Sequence, residues 1–121
     1  MKYWLRLALI AFFLNLVWEN AQAPLYANYV SFTQHFWLCL RATFSDVAII
    51  LILAFVTKRL HRMRLAALAG MGFLVAFGIE RLALSIGRWS YGAFMPLFLG
   101  VGILPLLQLT LLVPLSVVLA Q

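Results

Sequence analysis

Charge is what this sequence has least of. Only 10% of its 121 residues are charged, and three alone are acids, Glu19, Asp46 and Glu80. A soluble domain carries about 25% charged residues and about 45–50% apolar ones, whereas this chain is 66% hydrophobic. A small protein has much surface to solvate for its volume, so the deficit excludes a water-soluble globular domain and makes lipid the solvent for most of the chain. The single cysteine, Cys39, excludes an internal disulfide and, within an apolar run, reads as a small packing residue. A Gly-rich phosphate loop, a Ser-His-Asp set and paired cysteines are all missing. No metal or cofactor is implied, because His35 and His61 fall at opposite ends of one apolar stretch. Period-2 alternation is absent, which argues against a β-barrel. The net charge of +6 does not signal nucleic acid, since the basic residues lie between apolar runs and form no stripe.

What remains is hydrocarbon in four lengths, spanning about residues 4–22, 35–57, 65–84 and 94–120. The sequence therefore predicts an all-α membrane protein, a single four-transmembrane-helix bundle over residues 1–121. The first stretch has the outline of a signal peptide, with Lys2 and Arg6 before it and Ala21-Gln22-Ala23 after it. Asn15 and Glu19 interrupt its core and Pro24 would follow the cut, so it reads as a retained span. Residues 20–34 form a mixed interfacial segment. The third span carries two small-xxx-small pairs, Ala66/Gly70 and Gly72/Ala76, that allow close helix approach. Pro105 is expected to kink or unwind the fourth span.

Orientation follows from Lys58-Arg59-Leu60-His61-Arg62-Met63-Arg64, which divides the apolar chain almost in half. With Lys2 and Arg6 it lies on one side of four spans, opposite Arg81 and Arg88. The excess of basic residues places both termini and this loop in the cytoplasm. The expected location is the bacterial cytoplasmic (inner) membrane, as a multi-pass protein.

The polar residues inside the spans fall at related depths. Asp46 lies about 16 Å along the second span from His35, where a charge costs about 2.5–3.5 kcal/mol on insertion scales and so faces a partner or a cavity. His35, Cys39, Ala42 and Asp46 share a helical face, with Arg41 and Ser45 on another. Asn15 and Glu19 share a face of the first span, Glu80 and Arg81 end the third, and Gln108 is polar at mid-depth in the fourth. Asn15, Glu19, His35, Arg41, Asp46, Glu80, Arg81 and Gln108 are therefore expected to meet in the outer half of the bundle. Arg41 paired with Glu19 or Glu80, and Asp46 hydrogen-bonded to Gln108, would serve as structural glue of modest strength; the same cluster would serve as a ligand or catalytic pocket or, as the lesser alternative, an ion or proton path. Trp18, Trp37, Trp89 and Tyr91 read as an outer aromatic belt, with Trp18, Trp89 and Tyr91 also able to line a pocket. In the pocket reading Asp46 and Glu80 are the candidate catalytic acids, and Asn15, Trp18, Glu19, His35, Arg41, Trp89, Tyr91 and Gln108 the candidate ligand-binding residues.

Asn15-Leu16-Val17-Trp18-Glu19 with Pro24-Leu25-Tyr26, the run from His35 to Asp46-Val47, and Glu80 with Trp89-Ser90-Tyr91 and Pro105-Leu106-Leu107-Gln108 resemble a family of small, uncharacterised bacterial polytopic membrane proteins. That resemblance implies a fold and a membrane location but no activity. Glu80, Trp89-Ser90-Tyr91 and Gly102-x-x-Pro105 are also loosely similar to the membrane-embedded lycopene cyclases and carotenoid hydratases. Those place acids just after the proline, where this chain has Leu106 to Gln108. Three functions follow as expectations. One is binding of an apolar lipid or isoprenoid-type ligand. A second is a carotenoid- or isoprenoid-cyclase-like enzyme, in which a buried carboxylic acid donates the proton. The third is an accessory subunit packed against a larger membrane-protein partner, with a second copy of the chain as a further partner class.

Overall fold

The computed structural model describes residues 2–27 and 29–121; Met1, and Asn28 within the segment 20–34, lie outside the described residues. Four helices dominate: α1 (Lys2–Gln22), α2 (Phe32–Val56), α3 (Arg64–Ser85) and α4 (Ile103–Ala120). By length and composition all four can cross a membrane. A 3-10 turn, Ala23–Leu25, prolongs α1, with Pro24 in the first turn where its missing amide costs nothing. Ser31 starts α2, its hydroxyl accepting from the Gln34 amide at 3.3 Å. Gly87, with φ of 71°, ends α3. There Arg88 N–H donates to Ala83 and Gly87 N–H to Leu84, the paired bonds of a Schellman cap that needs a left-handed residue.

The fourth span departs from expectation. Helix α4 begins at Ile103, not near residue 94, and the preceding segment folds into a hairpin of β1 (Leu97–Phe98) and β2 (Val101–Gly102). Leu99 and Gly100 at its tip both have positive φ, 51° and 79°, the backbone of a type I′ turn. The interruption is thus larger than a kink. Pro105 falls in the first turn of α4, where helix amides lack intrahelical partners in any case. Strands of two residues are too short to leave any alternation in the sequence.

The chain ends of the helices are tied by side chains that reach free carbonyls. Arg6 Nε donates to Ala120 O at 2.6 Å, joining the start of α1 to the end of α4. Arg64 Nη2 donates to Ala54 O at 3.1 Å, and Thr57 Oγ1 donates to Leu53 O at 2.8 Å, satisfying the last turn of α2. At the other end, Ala27 N–H donates to Ser90 O and Gly92 N–H to Leu25 O, so the α1–α2 and α3–α4 connections lie side by side.

Packing is uneven. Helices α3 and α4 lie closest, because Gly72 sets α3 directly on the α4 backbone: a Cβ there would stand 2.6 Å from Leu109 O. Ala76, one turn on, is buried beside it. The other small pair, Ala66/Gly70, faces outward, with nothing within 4 Å of a Cβ placed on Gly70. An apolar core of Leu7, Ala11, Ile50, Leu68, Val113 and Val117 fills the half of the bundle near residues 57–63. In the other half α2 packs on α1 but scarcely touches α3.

Candidate functional site

The gap between α2 and α3 is a cavity of about 480 Å³. Its floor is made by buried residues of the other helices, Gln22 of α1 and Pro105, Gln108 and Leu109 of α4, with Ala76 and Glu80 of α3. Leu38, Arg41 and Ser45 of α2, and Ile79 and Arg88 on the opposite side, line it while remaining exposed, so it opens sideways between the two helices. Both faces of α2 distinguished in the sequence contribute to it, His35, Cys39, Ala42 and Asp46 from one and Arg41 and Ser45 from the other.

Gln108 is the hub of the polar floor. Its Nε2 donates to Asn15 Oδ1 at 2.9 Å, to Glu19 Oε1 at 3.0 Å and to Asp46 Oδ2 at 2.8 Å. Its Oε1 accepts from Gln22 Nε2 at 3.0 Å. Gln22 in turn accepts from Trp18 Nε1 at 3.0 Å and lies 3.5 Å from Glu19 Oε2. Asn15 spends its own N–H on Ala11 O at 2.7 Å. Helical spacing explains the convergence: Asn15, Trp18, Glu19 and Gln22 lie on one face of α1, and α4 brings a single amide across to it.

This cluster is short of donors. Two N–H hydrogens on each of the two glutamine amides, one on Trp18 and the second of Asn15 serve seven oxygens, namely the four carboxyl oxygens of Glu19 and Asp46 and the amide oxygens of Asn15, Gln22 and Gln108. None of these bonds comes from a cation. Arg41, expected to partner the acids, lines the cavity but makes no hydrogen bond to Glu19, Asp46 or Glu80 among the described residues, because its position on α2 carries it to the exposed rim.

Glu80 is held differently. Tyr26 donates to its Oε1 at 2.9 Å, and Trp89 Nε1 and Tyr91 OH donate to its Oε2 at 2.7 and 3.2 Å. The acid is therefore a clasp that pulls both connecting segments onto α3. The rings of Tyr26 and Trp89 meet edge to face at 6.1 Å. Burial, with a hydrogen bond at the Gly102 backbone acting the other way and the Glu80 carboxylate adding to it, pushes the Tyr91 phenol up to about 12. Burial and then Glu80 raise Tyr26 further. Both hydroxyls thus keep their protons and remain donors at neutral pH.

Of the residues singled out in the sequence, Glu19, His35, Arg41, Asp46, Glu80, Trp89 and Gln108 line the cavity. Asn15, Trp18 and Tyr91 do not; they stand one layer behind, bonded to Gln108, Gln22 and Glu80. His35 Nδ1 accepts from Val30 N–H at 3.4 Å, while its Nε2 is buried with no hydrogen bond. Trp37 is 68% exposed and is the one belt tryptophan of α2. Gln22 and Tyr26 were missed. Gln22 follows Asn15, Trp18 and Glu19 at helical intervals, a signal hidden by its place in an apparent cleavage site; Tyr26 reads alone as an interfacial aromatic. No family model matches the chain, and no curated protein or solved structure matches it.

Proposed function

We propose that this protein lies in the bacterial cytoplasmic membrane with both termini in the cytoplasm, and that it binds an apolar lipid or isoprenoid-type ligand between α2 and α3. The observation that carries the reading is the cavity. It has the size of a small-molecule site, its apolar lining includes Leu38, Ala42, Ile49, Ala76, Ile79 and Leu109, and its acids and amides gather at the floor. A sideways opening between two spans suits a ligand arriving from the bilayer. Polar groups at membrane depth are costly and usually serve a function, and a bundle needing only glue has no use for a cavity beside them.

Native mass spectrometry of protein released from membranes in mild detergent tests this. A retained apolar molecule is expected on the wild type and not on Ala76→Phe, which fills the cavity floor. Equal retention by both would refute the reading. Catalysis is a second reading, favoured by Asp46 standing at the polar floor of the cavity. In it Asp46 rather than Glu80 is the acid, because Glu80 already serves three donors.

A further inference from the structure

Resting on that ligand-binding reading, we infer that the cavity selects an apolar molecule whose polar end is a neutral hydrogen-bond donor, a hydroxyl group, seated against Glu19 and Asp46. Seven acceptor oxygens share six N–H hydrogens at the floor, and Gln108 alone divides two hydrogens among three acceptors. An arriving O–H meets lone pairs left without a donor. Against the carboxyl oxygens of Glu19 and Asp46 a carbonyl or ether oxygen places acceptor against acceptor, which is penalised.

The charge balance selects against a cation. Arg41 and Arg88 line the cavity with Glu19 and Asp46, so the guanidinium groups already carry at least as much charge as the two carboxyls can offset. Glu80 is occupied by Tyr26, Trp89 and Tyr91. A headgroup that adds a full positive charge passes the arginine-lined rim and leaves an excess inside. A hydroxyl supplies the missing donor and brings no charge. The apolar lining from Leu38 to Ile79 takes the tail.

Three probes with one tail test this: farnesol, farnesyl methyl ether and farnesylamine. Each is titrated against the purified full chain in lipid nanodiscs, by competition with a fluorescent farnesol analogue. Farnesol is expected to bind about tenfold tighter than the ether, the difference one hydrogen bond makes, and tighter than the amine. Glu19→Gln with Asp46→Asn, near-isosteric changes, adds two N–H₂ groups and turns the shortage of donors into a surplus. In that double variant the ether is expected to equal or overtake the alcohol. Equal binding of alcohol and ether to the wild type overturns the inference while leaving the lipid-binding reading intact. Tighter binding of the amine overturns it in favour of a cationic ligand. Binding of none of the three removes the ligand-binding reading and the inference with it. The wild-type comparison decides the matter even if the double variant does not fold.

Discussion

Replacing Gln108 by leucine isolates the contribution of the polar hub. The residue is 4% exposed, and leucine keeps nearly the same volume, so little cavity is created and the loss is almost wholly one of hydrogen bonds. Asn15, Glu19 and Asp46 lose a donor and Gln22 loses an acceptor. Polar contacts within membranes average about 0.6 kcal/mol and reach about 1.7 kcal/mol. A buried acceptor left unsatisfied costs about 1–3 kcal/mol. With two hydrogens shared among three acceptors, the expected destabilisation is about 2–4 kcal/mol. It can be read as a shift in the SDS-induced unfolding midpoint of the protein in mixed micelles, followed by tryptophan fluorescence. Adding Asp46→Asn to Gln108→Leu returns an N–H₂ group to the cluster and removes an unsatisfied carboxylate, so the double variant should be more stable than Gln108→Leu alone. A loss below about 0.5 kcal/mol, the range of an unremarkable surface change, or strictly additive effects of the two substitutions, would refute the hub.

Three further outcomes follow from the fold. Gly72→Ala should separate α3 from α4 and destabilise the bundle by about 1–3 kcal/mol, whereas Gly70→Ala should be neutral or stabilising; unfolding midpoints of the two variants check this. Leu99→Gly should raise stability by up to about 1–2 kcal/mol, the cost of a left-handed residue with a side chain, and an unchanged or lower midpoint would count against the type I′ hairpin. Tyr26 and Tyr91 have raised folded-state values, so the stability they confer is complete below their ordinary value near 10 and is lost as pH rises through the folded values. Phenolate absorbance should therefore show these two hydroxyls ionising later than free tyrosine and together with loss of the clasp on Glu80.

The number of long apolar helices, their order and the meeting of Asn15, Glu19, Asp46 and Gln108 were legible, because hydropathy and helical spacing act locally. Even the Asp46–Gln108 bond followed from two lone polar residues at similar depth. The hairpin before α4 was not legible. Its strands hold two residues each, and Leu99 adopts its left-handed backbone under the demands of the turn rather than its own preference. The partners of Glu80 were hidden for another reason. Tyr26, Trp89 and Tyr91 look like an aromatic belt, and only the adjacency of the two connecting segments turns their O–H and N–H groups inward. Arg41 illustrates the converse: opposite charge suggested a pairing that its exposed position on α2 does not make. Which of the two small pairs of α3 faces α4 likewise depends on tertiary placement.

The central claim is a ligand cavity between α2 and α3, and photolabelling tests it most directly. A farnesol analogue with a diazirine in its tail, activated in membranes containing the full chain, should leave adducts on Leu38, Ile49 or Ile79, and these should vanish in Ala76→Phe. Adducts spread over outward side chains such as Phe13, Phe44 and Leu74, and unchanged by Ala76→Phe, would contradict the account.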